Sequence, residues 1–257
     1  MTDKRCNNNR IFNYLPTCLS TRGRRVVMNR RVFMGQVVSF GLGLLALGNG
    51  RISWAEGLPS DPEGTTIGSA GPYVIALPPF EKNSGFALEK ALVERKSVRS
   101  YNPDRKLSRE EISRLLWAAD GANRTDGHRT APSARGRYPV DVLVALPEGV
   151  YLYEPKEHRM KSVLQDDIRG AIPTQEGFKN AAMIVLFVIN KDRVPDGRME
   201  WADIEIGCIG QNIFLEAAAL GLGSCIFAGV AYDRVTKDIG LRENQVLRIA
   251  QAVGAVK

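Results

Sequence analysis

Hydrophobic and polar positions along the chain change period several times, and each change marks an element. From about Gly85, Phe86, Leu88, Ala91 and Leu92 recur at helical spacing and lead into the polar stretch Glu94 to Tyr101. After Pro103, Ser108 opens a second helical pattern with Glu111 three residues on, the spacing of a capping box. Ile112, Leu115, Leu116 and Ala119 form its apolar stripe, and Gly121 stops it. Asn123 to Gly136 lacks periodicity and reads as polar loop. Val140 to Leu146 predicts a strand, and Gly149 to Pro155 a short strand that turns at the proline. Ala181 to Asn190 is almost continuously apolar, as a strand buried on both faces would be. A long helix is predicted from about Ala202 to Leu220, capped at Gly221 and Gly223. Ser224 to Gly229 and Leu247 to Val253 supply the last strands. Helices first, then strands with helices between them, make an α+β pattern. Residues 85–257 read as one domain without internal repeats. Residues 56–84, rich in Gly, Pro, Ser and Thr, read as a linker or extended arm.

Composition changes this picture mainly at the N-terminus. The 257 residues are 44% hydrophobic and 25% charged, ordinary for a chain that can bury a core. The net charge of +7 looks like a nucleic-acid signal until it is located. Nine Lys or Arg and one acid fall within residues 1–55, and removing that +8 leaves about −1 for the rest. The body is near neutral, and no nucleic-acid partner is expected. The leader runs from basic residues ending in Asn29-Arg30-Arg31 into a glycine-diluted apolar stretch, Val32 to Leu47. It then reaches Ser53-Trp54-Ala55, with small residues suited to cleavage. The apolar stretch is shorter than the about 20 residues a spanning helix needs. This order resembles a twin-arginine (Tat) signal peptide over residues 1–55, which implies export to the periplasm by the Tat machinery. An uncleaved leader acting as a membrane anchor is the alternative, and either Met1 or Met28 can be the start.

Candidate chemistry is sparse. Cys6 and Cys18 lie in the leader. Cys208 and Cys225 lack metal-ligand spacing and read as buried free thiols rather than a disulfide. With only His128 and His158, no metal cluster can be assembled. Arg95-Lys96-Ser97-Val98-Arg99 puts three cations and a hydroxyl within five residues, enough to grip a phosphate by charge-assisted hydrogen bonds. Alone, it equally suits a solvated helix end matched to the helix dipole. Pro132-Ser133-Ala134-Arg135 can let backbone approach a planar ligand, or be a surface turn. Glycine at position 229, closing the run Ile226-Phe227-Ala228, permits close approach of a ligand or another backbone.

In this order and spacing the pieces resemble the nitroreductase superfamily, over roughly Ala87 to Lys257. Arg-x-Ser-x-Arg at 95–99, with Tyr101 and Pro103 behind it, is similar to the first FMN motif, and the Pro-Ser-Ala loop to the second. Helix 207–220 followed by Gly-Leu-Gly-Ser and Ala228-Gly229 is similar to the third, and Val253-Gly254 to the closing strand. Gly149-Val150-Tyr151-Leu152-Tyr153-Glu154-Pro155 with His158 resembles a stretch of the SagB-type dehydrogenase branch. The resemblance implies a nitroreductase-like fold, a mostly antiparallel central sheet flanked by helices, and a homodimer with one FMN at each subunit boundary. It implies that Arg95, Lys96, Ser97 and Arg99 hold the phosphate and ribityl chain. Pro132, Ser133, Ala134 and Arg135 would come from the partner subunit, and Ala228 and Gly229 would lie by the ring. Lys257 is the candidate for the family's late phosphate contact. The activity implied is ping-pong electron transfer from NADH, NADPH or another donor to a small electron-poor acceptor, a quinone or nitro compound. No protein acid or base is needed in the hydride step. The SagB-type likeness offers oxidation of azoline rings in a modified peptide instead, and a flavin-binding protein without turnover is a third reading. Tyr151 and Tyr153 either line the pocket or pack in the core.

Overall fold

A computed structural model describes residues 73–83 and 85–257. The leader predicted over 1–55 and the arm up to residue 72 lie outside the described residues. Four helices and seven strands follow in the order β1 (Val74–Ala76), α1 (Leu88–Glu94), α2 (Arg109–Asp120), β2 (Val140–Leu146), β3 (Gly149–Glu154), β4 (Arg159–Leu164), β5 (Met183–Asn190), α3 (Met199–Ala219), β6 (Gly223–Phe227), α4 (Tyr232–Asp238) and β7 (Gln245–Gly254). The strands form one sheet in the order β1-β4-β3-β2-β5-β7-β6, and every neighbouring pair is antiparallel. The α+β expectation holds.

Period two distributes the core over both faces of this sheet. Met183, Val185, Phe187 and Ile189 of β5 join the cluster beneath α2 and α3. Ile184, Leu186 and Val188 join the cluster on the opposite face, with Ile172, Phe178 and Val235. Strand β5 therefore needs apolar side chains from Met183 to Ile189, which is why its sequence shows no alternation. Among the described residues no helix is long and apolar enough to cross a membrane. Cys208 in α3 and Cys225 in β6 are free thiols.

The helix ends explain where the chain turns back. Ser108 Oγ accepts from the Glu111 amide at 3.1 Å, and Glu111 Oε2 accepts from the Ser108 amide at 2.8 Å, so the capping box forms. Arg105 grips the same carboxylate with two bonds at 2.7 and 2.6 Å and holds its pKa low. At the end of α3, the Gly221 amide donates to the Ala218 carbonyl and the Leu222 amide to the Ala217 carbonyl. With Gly221 at φ +68°, that is a Schellman cap. Gly223 departs from its expected capping role and begins β6 instead, where a Cβ would lie 2.7 Å from the Val98 side chain.

Two boundaries move. The arm predicted over 56–84 is no free linker at its end: Val74–Ala76 pairs with β4, Leu77 is buried, and Phe80 packs edge-on against Trp117. Strand β4 escaped the sequence reading because only alternate residues, Met160 and the polar Ser162, are buried, while Arg159, Lys161 and Val163 are open to solvent in whole or part.

Candidate functional site

The Arg-x-Ser-x-Arg segment leaves α1 as an extended strip beside β6. Arg95 closes the helix, its amide donating to the Ala91 carbonyl at 2.9 Å. Ser97 then bridges Ser224 in the parallel sense, and the Val98 amide donates to the Ser224 carbonyl at 2.9 Å. Val98 is buried against Gly223, and the buried Tyr101 hydroxyl donates to the Val98 carbonyl at 2.7 Å. Alternation along an extended strip then turns Arg95, Ser97 and Arg99 to the side opposite Val98. All three are open to solvent in whole or part, as is Lys96.

These cations have no carboxylate partner, a state they share with Arg109, Arg124, Arg137 and Arg242 among the described residues. Among the described residues, ten arginines are ion-paired with carboxylates. Arg95, Lys96 and Arg99 have no such partner among the described residues, and Arg95 instead lies over the Phe214 ring at 5.4 Å. The C-terminus adds a further cation. Tyr101 bridges Val256, and the Asn102 amide donates to the Ala255 carbonyl at 3.0 Å. Lys257, the next residue, is thereby carried to the Arg99–Tyr101 end of the strip.

The turn after β6 lies close by. Gly229 accepts from the Thr174 amide at 2.7 Å, Pro173 bridges Val230, and a Cβ on Gly229 would come within 2.7 Å of Thr174 Oγ1. A few residues on, a Cβ on Gly177 would meet the Arg99 carbonyl oxygen at 2.2 Å. Residues 173–178 thus touch both Arg99 and Gly229, and Phe178 stacks on Phe227 at 4.4 Å to hold them there. Sequence reasoning missed Thr174 and Gln175, whose side chains flank Gly229. The only local signal was a lone glycine, at 177.

The Pro132–Arg135 loop is elsewhere. It packs on the start of α3, lining a pocket of about 380 Å³ with Trp201, Ile204 and Glu205. The side chains of both its expected donors have partners within the chain, Ser133 as an acceptor and Arg135 as a donor. Ser133 Oγ accepts from the Tyr138 amide at 2.8 Å, and Arg135 makes a bidentate pair with Asp196 at 3.1 and 2.6 Å. Among the described residues, none of the loop's hydrogen bonds or ion pairs reaches residues 95–99 or 228–229.

The Gly149–His158 stretch proves to be a clamp. Tyr151 and Tyr153 are buried in the core. Ser113 Oγ donates its one proton to the Pro78 carbonyl at 2.6 Å, so it must accept from His158 Nε2 at 2.7 Å. His158 Nδ1 then accepts from the Tyr153 hydroxyl at 2.9 Å. One directed chain of bonds ties hairpin β3–β4, helix α2 and the segment after β1 together. Burial, with the nearby Lys82, holds the His158 pKa below the usual histidine range and keeps the ring neutral.

Comparison with known proteins decides the family. The nitroreductase family model matches residues 92–255, from the helix before the cationic strip to the end of the described sheet. The chain belongs to the nitroreductase family. It is 32% identical over 179 residues to a Methanocaldococcus jannaschii protein assigned as a nitroreductase, covering 64% of this chain and 88% of that one. A crystal structure from Ralstonia eutropha, also described as a nitroreductase, shares 32% identity at a TM-score of 0.65, covering 72% of this chain and 90% of the other. The Escherichia coli microcin synthetase McbBCD complex, with truncated pro-MccB17 bound, shares the fold at 22% identity and a TM-score of 0.57, covering 62% and 67%. The protein is an oxidoreductase of the nitroreductase family.

Proposed function

We propose that this nitroreductase-family oxidoreductase holds FMN and passes electrons from NADH, NADPH or another donor to a small electron-poor acceptor of quinone or nitro type. The observation that carries the reading is the strip of unpaired cations at 95–99, joined by Lys257 and set beside the Ala228–Gly229 turn. A phosphate monoester is the chemistry such donors suit: guanidiniums give forked, charge-assisted hydrogen bonds, and a hydroxyl adds a neutral one. Arg95, Ser97, Arg99 and Lys257 would hold the phosphate, with Lys96 adding charge nearby. The donor set fits, because no described carboxylate competes for it.

FMN, when bound, supplies the two-electron carrier that no side chain of this protein can replace. The chain's own work is to bind and orient. Ala228 and Gly229 offer backbone without a bulky side chain, next to Thr174 and Gln175. The Pro132–Arg135 loop, apart from the strip within one chain, would serve the FMN of a second copy, so the active form would be a homodimer. The Tyr151, Tyr153 and His158 stretch is occupied as a clamp and lends no weight to an azoline substrate. A twin-arginine leader over residues 1–55 would suit this reading, because FMN is held without a covalent bond and that route exports folded proteins.

The test is spectroscopic. The purified protein should quench the fluorescence of added FMN at micromolar or lower concentration, lose its 450-nm band (roughly, for an oxidised flavin) with NADH or NADPH under anaerobic conditions, and regain it with a quinone or nitroaromatic. A colourless protein that leaves FMN fluorescence unchanged overturns the proposal.

A further inference from the structure

The Ala228–Gly229 turn is held by a side chain that lies outside it. The chain leaves β6 and enters α4 through two tight turns of the γ type. In the first the Val230 amide donates to the Ala228 carbonyl, and in the second the Tyr232 amide donates to the Val230 carbonyl, each at 2.9 Å. The Gly229 carbonyl accepts from the Thr174 amide, and the Ala231 amide donates to the Ile172 carbonyl at 2.9 Å. Tyr232, half-buried at the first position of α4, then reaches back over the turn. Its hydroxyl lies 3.2 Å from the Ala228 carbonyl oxygen and 3.2 Å from that of Arg248. A phenol has one proton to give, so the two acceptors share it, and two equally long legs suit a three-centre bond.

Arg248 can offer that carbonyl because the ladder is irregular there. Pairing of β5 with β7 passes from Ile249 to Leu247 and skips Arg248, a bulge that takes its backbone out of step. The Arg248 guanidinium is fastened to Asp203 of α3 by two bonds of 2.7 and 2.8 Å. The Tyr232 hydroxyl therefore ties the turn after β6 to a fixed point on the sheet.

Pinning the Ala228 carbonyl also aims the far side of the same peptide, because in a trans peptide the carbonyl and the following N–H point opposite ways. That N–H belongs to Gly229, and it has no acceptor among the described residues. The carbonyl oxygen takes two donors, Val230 N–H and Tyr232 O–H, which use both of its lone pairs. We propose that Tyr232 is a positioning residue for the flavin: by holding the Ala228 carbonyl it keeps the Gly229 N–H directed at the ring. The inference rests on the FMN reading. A flavin ring gains electron density when it is reduced, so a donor fixed against it favours the reduced form and raises the potential. Tyr232 touches no ligand and acts through the peptide between residues 228 and 229.

The experiment compares the full chain with its Tyr232→Phe variant, which loses the hydroxyl and keeps the ring. Two quantities are measured at neutral pH. One is the dissociation constant of oxidised FMN, by fluorescence quenching; the other is the midpoint potential of the bound flavin, by anaerobic titration against a reference dye. The phosphate contacts are untouched, so oxidised FMN should bind about as tightly as to wild type. The potential should fall by roughly 20–30 mV, the two-electron equivalent of an about fivefold to tenfold loss of preference for the reduced form. Tyr232→Met, which also lacks the hydroxyl, gives a second reading should Tyr232→Phe fold poorly. Arg242→Ala, in the loop after α4, should change neither quantity. A potential that stays put or rises overturns the inference, and so does an equal weakening of both redox forms, since a residue that merely supports the fold would do that. Wild type that binds no FMN overturns the FMN reading itself.

Discussion

Arg95 and Arg99 stand apart from the ten ion-paired arginines because no described carboxylate neutralises them, and an arginine held that way is available to an anion. If the anion is the FMN phosphate, Arg99→Ala should raise the FMN dissociation constant at least about tenfold, the scale of one charge-assisted hydrogen bond. Riboflavin binding should change far less, and Arg242→Ala, remote from the strip, should change neither. Equal losses for both flavins would place Arg99 off the phosphate. His158 makes a second prediction, one about stability. Its ring is neutral when folded and titrates near 6.5 when unfolded. Between that value and its lower folded value, the unfolded chain binds the additional proton, so stability falls as the pH drops below about 6.5. His158→Gln should flatten that limb in a plot of melting temperature against pH. Ser113→Ala should cost about 1–3 kcal/mol in urea unfolding at neutral pH, since it strands the Pro78 carbonyl and the His158 Nε2 proton.

Between elements, the site depends on how closely α1's trailing strip can lie against β6. Gly223 permits that approach: a Cβ there would overlap the Val98 side chain at 2.7 to 2.8 Å, although its φ is unremarkable. Gly223→Ala should therefore push residues 95–99 outward, cost about 1–3 kcal/mol by overpacking, and weaken FMN binding. Adding Val98→Ala should restore a good part of both, and a double variant as weak as the single one would refute the packing argument. This contact also shows where sequence reasoning stops. Gly223 reads as a helix cap because it follows a long helix closely, and nothing local tells that its missing side chain makes room for a residue 125 positions earlier. The capping box at Ser108, strand β5 and the end of α3 were legible, since each is governed by neighbours within a few residues. The Arg-x-Ser-x-Arg cluster was legible as chemistry but not as a place. Thr174 and Gln175 were not legible at all, because only the return of residues 173–178 to the end of β6 brings them beside Gly229. Strand β4 was obscured by its position next to the edge strand, where charged side chains are tolerated on the open face.

For the whole molecule, the unsolved surface is α1. Its sequence predicts an apolar stripe, yet only Ala91 is buried, and Leu88, Leu92 and Val93 are exposed, Val93 to 84%. Beside it, Phe86, Trp117 and Leu215 line an open pocket of about 390 Å³. The helix sits directly before the cationic strip, so whatever covers it also steadies Arg95 and Arg99. The Pro132–Arg135 loop packs on the start of α3, apart from that strip within one chain, and the proposed homodimer would use both surfaces. A stable dimer of this kind buries on the order of 1,200–2,000 Å² or more, and charges placed in the middle of it should disrupt it. The double variant Leu92→Glu, Val93→Glu alters two exposed side chains, so the fold of each chain should survive, with unchanged far-ultraviolet circular dichroism. Light scattering should show wild type at twice the chain mass and the variant at the monomer mass. FMN affinity should collapse with the dimer although residues 95–99, 228–229 and 257 are intact. A monomeric variant that binds FMN as tightly as wild type would mean that one chain makes the whole site, and that the Pro132–Arg135 loop has no part in it.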